Sequence, residues 1–454
     1  MFATAPLFVL CLAVPQEPSD VLATYRLNGK EATITRTDVA LEMAFHLRRD
    51  ERGRQACEML VDALLTRAAA KEQGLTPSTA EVQAFWEKLK QQLIAAGRRP
   101  QDFAAVRNTG EQQWLEDLSV QIAQERLVRR ELGLAENEKV SGDMLKLWLR
   151  EARERCKVET DPDKLPIGTA AMAGKKNVAL IDLGFLLLRT SEDFERDRFV
   201  RQVVYLETIE AMAAAHSLRI TNTDLDRAIA ERRKQAKANP KRGGVPLEQI
   251  LKAIGMTVES LRELRVFRSQ ILLDKLARTK FPDEALLAEV TEKREDVMVE
   301  VGPRRRIGAI FLRALKEPNA IIPRTFDEAM KDLERVRARI AKDGFAATAS
   351  IESEHGDSKR KGGDVGWHRK SSPELPAVVI QAAFQMKMTE VSMPIRTKKG
   401  CYVITVLDTE PVPNDEELVR RLRIVHSEQL SENILKDAEV KFATHDKDAS
   451  GGNK

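Results

Sequence analysis

The chain is poor in aromatic residues, histidine and cysteine, and each shortage closes off a class of function. Aromatics make up 5% of its 454 residues. No stretch interleaves basic and aromatic side chains in the way that stacks nucleobases. A net charge of +4 is too small to argue for nucleic acid. Six histidines are scattered at 46, 216, 355, 368, 426 and 445. His355 and His368 are separated by a glycine turn and have no cysteine nearby, so no metal-ligand spacing arises. The four cysteines, Cys11, Cys57, Cys156 and Cys401, are too widely spaced for a disulfide framework or a metal knuckle. They read as small apolar residues. The sequence has no GxxxxGK[ST], no GxGxxG after a strand, no HExxH and no GxSxG. No cofactor is expected.

Long apolar runs are also missing. Val178–Leu188 is short and contains Asp182, so no segment beyond the N-terminus is expected to cross a bilayer. The run Ala5–Val14, followed by Pro15, Gln16, Glu17 and Pro18, fits the core of a signal peptide. Cys11 and Ala13 give a small-x-small cleavage pattern, although no Lys or Arg precedes the run. Residues 1–19 are therefore expected to be a signal peptide, the alternative being a cytosolic protein with an apolar tail.

What the chain does have is charge, 32% of residues, mostly alternating in sign along helical patterns. Such segments read as solvated helix faces. "ATYRLNGKEATIT" is strand-like about Asn28-Gly29. Residues 54–74 place Leu60, Ala63, Leu64 and Ala68 on one helical face, with Gly74 as a stop. Helices are expected at about 77–95 and 110–133. The segment 60–76 aligns with 205–221 at an offset of 145, with Ala68/Ala213, Ala69/Ala214, Ala70/Ala215 and Thr76/Thr221 identical. Strand-like pieces precede both segments ("ATYRLNG" and "VALIDLGFLLL"), and polar helices, a glycine turn and a long helix follow both. Two copies of one helical module are expected, at 20–157 and 178–302. The Pro-, Gly- and Ala-rich stretch 158–177 reads as a linker.

Beyond residue 303 the pattern changes. In "RRRIGAIFLRAL", Ile307, Ala309 and Phe311 alternate against Gly308, Ile310 and Leu312. Thr325-x-x-Glu328 is a capping box opening a helix striped by Phe326, Ala329, Met330, Leu333, Val336 and Ile340 and ended by Gly344. "GGDVGW" follows, then the helix "PAVVIQAAFQM" and the strands "VSMPIRT" and "CYVITVLD". The order β-α-α-β-α-β-β over 303–411 is a small α+β domain. An amphipathic helix and a short strand occupy 412–444, and a polar tail 445–454. The fold class is thus mostly α, with one α+β domain.

The 303–411 segment resembles the parvulin-type peptidyl-prolyl isomerases, also called the PpiC or rotamase family. "GFAATASIESEHGDSKRKGGDVGW" and "AVVIQAAFQMKMTEVSMPIRTKKGCYVITVLD" carry that family's GGD-[LV]-GW, aaF and closing-strand motifs in order. The flanking modules resemble the helical segments of SurA-like and PrsA-like exported chaperones. "YRLNGKEATITRTDV" is similar to their strand-to-helix entry. The resemblance implies two modules forming a client-binding cradle, residence in the periplasm or cell envelope, and unfolded clients with Xaa-Pro segments as partners.

The implied chemistry is rotation about Xaa-Pro bonds, whose barrier of about 20 kcal/mol is amide resonance. An apolar slot for the proline ring and polar groups suited to the twisted amide are needed. Leu375, Val379 and Phe384 fall on the family's pocket positions, with Val379 smaller than the usual phenylalanine. Thr397 and Gly400 match its T-x-x-G turn. The polar set departs from the family: its first-strand histidine is Ala309 here and its last-strand histidine is Tyr402. His355 falls near the polar position before GGD. His355, Tyr402 and Thr397 are the catalytic candidates, each with an ordinary structural reading as loop, strand or turn residue. The resemblance implies an isomerase of reduced activity. The Ala309/Tyr402 pair points instead to a non-catalytic holdase, and an assembly scaffold is a third reading. The segment carries 20 Lys/Arg against 14 Asp/Glu, which reads as a solvated surface or as a preference for acidic clients.

Overall fold

The computed structural model describes residues 20–97, 111–135, 138–238, 243–314 and 324–443. The expected signal peptide (1–19) and polar tail (445–454) lie outside the described residues, as does most of the turn "AAGRRPQDF". The chain forms two compact units, Met1–Leu276 with Ser431–Lys454, and Ala277–Leu430. Among the described residues no helix is long and apolar enough to cross a membrane.

The first unit opens with a hairpin, β1 (Val21–Leu27) and β2 (Lys30–Thr35). Asn28 and Gly29 both take positive φ, as its two-residue turn requires. Thr35 and Asp38 form a capping box that starts α1 (Arg36–Leu47). Helices α2 (Glu51–Glu72), α3 (Thr79–Ala95), α4 (Glu111–Leu132) and α5 (Gly142–Cys156) follow. The deepest face of α2 is Cys57, Val61 and Leu65 rather than the expected Leu60, Ala63, Leu64 and Ala68, which are half-buried at its flank. Both rows have helical spacing, and neighbours on two sides of α2 decide between them.

The stretch 158–177 is not a bare linker. It contributes β3 (Val158–Glu159) and β4 (Thr169–Ala173), which form a sheet with β5 (Lys176–Ala179). The small residues Ala170, Ala171 and Ala173 are buried there, so they serve close packing rather than flexibility. The expected strand "VALIDLGFLLL" is strand only to Ala179. From Leu180 it is α6 (Leu180–Arg189), because Leu183 and Leu187 repeat at helical spacing on a buried face. The continuous apolar run made strand and helix indistinguishable by pattern alone.

Next come α7 (Asp193–Ala215), α8 (Asn222–Ala238), α9 (Leu247–Ala253), α10 (Val258–Glu263) and α11 (Arg265–Lys280). Hairpin, two helices, a capped third helix and a later long helix thus occur twice in the same order. Their register is not the expected one. The capping boxes Ser78-x-x-Glu81 and Thr221-x-x-Asp224 start α3 and α8 at an offset of 143. The turns before them agree: Gly74 and Ser217 both have positive φ, and Leu75 and Leu218 each donate back to an alanine carbonyl. The alanine triplets behind the offset of 145 are two residues out of structural register.

The first helices of the two copies cross closely. A Cβ on Gly184 of α6 would lie 2.1 Å from the Ala40 carbonyl oxygen of α1, on backbone that cannot yield cheaply. Gly184→Ala is expected to destabilise this unit by about 1–3 kcal/mol, read from the chemical denaturation midpoint.

Glu42 of α1 is 6% exposed and accepts a 2.7 Å hydrogen bond from Gln202 Nε2. Burial raises its pKa above the usual carboxylate value, against the opposing pull of Gln202 and Arg265. A raised folded pKa means that the native state holds the proton more tightly than the unfolded chain. The stability from this group is present at acid pH and fades as pH rises through the folded pKa. Glu42→Gln keeps an acceptor for Gln202 without the charge. It is expected to raise the urea midpoint at about pH 7 and to flatten its rise towards about pH 4.

The second unit begins with α12 (Asp283–Glu292) and α13 (Arg294–Glu300). The boundary expected at 302/303 falls inside it, because Leu286, Val290, Val297 and Val301 pack on Leu418, Val419 and Leu422 of α18 (Asp415–Asp437). Between them lie β6 (Arg305–Arg313), α14 (Phe326–Asp343), α15 (Phe345–Glu352), α16 (Gly356–Lys359), β7 (Asp364–His368), α17 (Ala377–Gln385), β8 (Ile395–Arg396) and β9 (Gly400–Thr409). The sheet order is β7-β6-β9-β8, antiparallel throughout. Ile307, Ala309 and Phe311 face a cluster with α17, while Ile310 and Leu312 face one with α14 and α15. After α18, the strand β10 (Lys441–Phe442) pairs antiparallel with β1.

Candidate functional site

One edge of β6 builds the site. Its odd-numbered residues turn their amide N–H groups towards β7, but β7 covers only the first part of the strand. Ala309 N donates to Gly363 O at 2.8 Å, and Phe311 N donates to Ser353 Oγ at 3.2 Å. Glu354 N donates back to Phe311 O at 2.8 Å, and Arg313 N donates to Glu354 Oε2 at 2.6 Å. The loop 353–355 therefore continues the sheet where β7 stops, and His355 is held one residue beyond a paired position.

The opening GGD of the glycine motif serves this approach. Gly362 and Gly363 have φ of +64° and +84°, and Gly366 has +94°. A Cβ on Gly363 would lie 2.8 Å from Ala349 Cβ and 3.1 Å from the Ala309 carbonyl oxygen. Asp364 Oδ1 accepts from Gly366 N at 2.8 Å, and its Oδ2 pairs with Arg306 Nη2 at 2.5 Å. Hydrogen bonds from Arg306 and Gly366 hold the Asp364 carboxyl below its ordinary pKa, against the desolvation that burial imposes. Trp367 is 38% exposed with the Arg304 guanidinium 5.7 Å from its ring centre, so it does not bury itself to anchor the loop.

The structure brings Ala309, Leu375, Val379, Phe384 and Tyr402 into one apolar cluster beside α17. Val379 and Ala309 are fully buried and form its floor. Leu375, Phe311 and Tyr402 keep a sliver of exposure, and Phe384 and Ile395 are half-buried at its rim. Phe311, Tyr402 and Ile395 stand opposite one another on three adjacent strands. The Phe311 and Tyr402 ring centres are 4.7 Å apart, tilted by 37°. Burial raises the Tyr402 pKa, so its phenol stays protonated and can donate. Arg305 donates to the carbonyls of Ala383 and Met386 at 2.5 Å and lies over Phe384, which Lys370 also approaches.

The other candidates divide. His355 is half-buried, and its Nδ1 lies 2.9 Å from Ser358 Oγ, which fixes the ring and leaves Nε2 outside that contact. Thr397 is committed to its turn: its N and Oγ1 both donate to Gly400 O at 2.8 Å. Residue patterns did not single out Phe311, Ile395, Ser353 or Ser358. Phe311 was visible in the β6 alternation. The serines act through backbone bonds, which leave no sequence signal.

The result is an apolar sheet face covered by α17, with the protonated Tyr402 phenol in its upper row. Residues 312–408 match the family model described as Rotamase, PPIC-type PPIase domain, and the chain carries a parvulin-type domain of that family. Its relatives include the foldase protein PrsA of Clostridium botulinum strain Langeland, 28% identical over 172 residues, covering 37% of this chain and 46% of the relative. The chaperone SurA of Chromohalobacter salexigens is 24% identical over 268 residues, covering 54% and 56%. The chain spans about half the length of the curated relatives it matches. A solved PrsA from Bacillus anthracis aligns over 54% of this chain and 94% of its own at 19% identity, with a TM-score of 0.26.

Gly363→Ala is expected to lower the stability of this unit by about 2 kcal/mol or more, from strain at positive φ plus the contact with Ala349. Gly366→Ala, which has open space around its Cβ position, pays only the backbone part, about 1 kcal/mol. Thermal denaturation of the two variants separates the terms.

Proposed function

We propose that the protein is an exported folding factor that binds unfolded clients and isomerises Xaa-Pro bonds weakly. The observation that carries this reading is the Phe311–Tyr402–Leu375–Phe384 cluster inside a segment of the PPIC-type family. In this reading the proline ring enters between Phe384 and the Phe311/Tyr402 pair. The amide leaves water for apolar surroundings, which favours the less polar twisted form. Tyr402 donates a hydrogen bond to the prolyl nitrogen, whose lone pair is freed as the amide twists, and His355, fixed by Ser358, supplies a second polar contact. Thr397 keeps only a positioning role through its turn. Export rests on the apolar run Ala5–Val14. The cradle role of the helical unit is supported by its exposed apolar side chains, among them Ile167 at 95%, Phe194 at 69% and Ile94 at 63% exposure.

A second reading is a holdase whose parvulin domain binds peptide without turning it over. Ala309 favours it: at a position where the family has a histidine, there is a buried methyl group. Exchange NMR on an Ala-Leu-Pro-Phe peptide decides between the two. The expected result is measurable acceleration by the wild type, reduced about tenfold by Tyr402→Phe and less by His355→Ala. Wild-type exchange indistinguishable from buffer, together with suppression of client aggregation, establishes the holdase instead.

A further inference from the structure

His368 is a buried histidine that neither reading uses. It ends β7 with 5% exposure, opposite Arg305 on β6. Its Nε2 lies 3.1 Å from Val365 O. A carbonyl only accepts, so Nε2 carries a proton and donates. In the neutral ring Nδ1 is then a bare acceptor. It is buried with no hydrogen-bond partner, and the Glu374 carboxylate oxygen Oε2 stands 3.6 Å away. An acceptor facing a carboxylate is an arrangement that one added proton turns from mismatch into ion pair.

Both contacts reach the walls of the apolar cluster. Val365 packs against it, and Glu374 directly precedes Leu375, one of its buried members. The connecting loop is otherwise held by Arg369 N donating to Ser372 Oγ and Ser371 Oγ donating to Glu300 O. The charged groups around His368 are few. Arg305 is committed to the Ala383 and Met386 carbonyls. Asp364 is paired with Arg306. Arg369 and Lys370 follow in the chain, Asp408 and Glu410 lie at the end of β9, and Glu300 ends α13. The helix α17 carries no charged residue. Glu374 is the carboxylate aimed at the ring.

We propose that His368 and Glu374 form a proton-operated latch that positions Leu375, so that acid tightens the peptide slot. Protonation of Nδ1 draws Glu374 in and seats Leu375. Deprotonation releases the loop. His368 and Glu374 are positioning residues and touch no client. The consequence for clients rests on the slot reading given above, but the movement of Leu375 does not.

The test uses the full chain with labelled Leu and Val methyl groups, compared at about pH 7.5 and about pH 5.5. It includes the wild type, Glu374→Gln and His368→Phe. Glu374 is exposed, so its variant folds even if the buried His368→Phe does not. The Leu375 methyl shift is expected to differ between the two pH values in the wild type and to be the same at both in Glu374→Gln. A capped, uncharged Ala-Leu-Pro-Phe peptide is expected to bind about two- to fivefold more tightly at the lower pH, as a partly exposed ion pair allows, and with no pH dependence in Glu374→Gln. A Leu375 methyl that ignores pH, or a Glu374→Gln variant that keeps the wild-type response, overturns the latch. A peptide that binds at neither pH overturns the slot reading, while the methyl shift still decides the latch.

Discussion

Everything in the second unit depends on β6 being buried on both faces. Ile307, Ala309 and Ile310 are wholly buried, and Leu312 nearly so. A strand in that position needs both edges paired and both faces covered, because unpaired amides and bare apolar surface are each costly away from water. Strand β9 pairs one edge along its whole length. The other edge is shared by a short strand, the Gly363 carbonyl and the Ser353–Glu354 loop. The glycine motif exists to let the chain approach that edge without a side chain in the way. Its role in the fold is that backbone approach.

The same constraint decides what position 309 can hold. Position 309 lies on the floor of the cluster, where a histidine would need a partner for each ring nitrogen. Here the floor is made of the small side chains Ala309 and Val379. The aromatic pair Phe311 and Tyr402 fills the next row, and burial keeps the phenol protonated. Phe311 also receives the loop that carries His355. The polar atom within this cluster is the Tyr402 hydroxyl, in the row next to the floor. A site built this way is apolar first and polar only at its rim.

Much of this was legible in the sequence. The β6 alternation, the Thr325 capping box, the glycines and the α17 stripe report local backbone needs, and local needs leave residue signatures. The apolar candidates Leu375, Val379, Phe384, Ala309 and Tyr402 meet in one cluster because their spacing fixes the faces of one helix and two strands. What the sequence did not show is what backbone bonds decide. Thr397 has the right residue type for a hydroxyl at the site, yet its proton goes to Gly400 O. Ser353 and Ser358 look like loop filler, yet one tacks the loop to β6 and the other orients His355. His368, weighed only as a metal ligand and set aside, is a buried ring held against the Val365 carbonyl.

The helical unit shows the limit of identity as a guide to register. Alanines are interchangeable on a packed helix, so an alanine triplet can slide without a residue-level penalty. A capping box cannot slide, because its side chains satisfy particular amides at one point in the chain. Ser78 and Thr221 therefore fix the correspondence of the two copies at 143, where Ala68–Ala70 and Ala213–Ala215 suggested 145. The crossing of α1 and α6 gives that correspondence physical weight. These are the first helices of the two copies, and the missing side chain at Gly184 lets their backbones touch. The two copies share one apolar cluster, which takes in residues of α1, α2, α6 and α7. This accounts for why the stretch between them is folded into a sheet, with buried alanines, and is not a flexible tether.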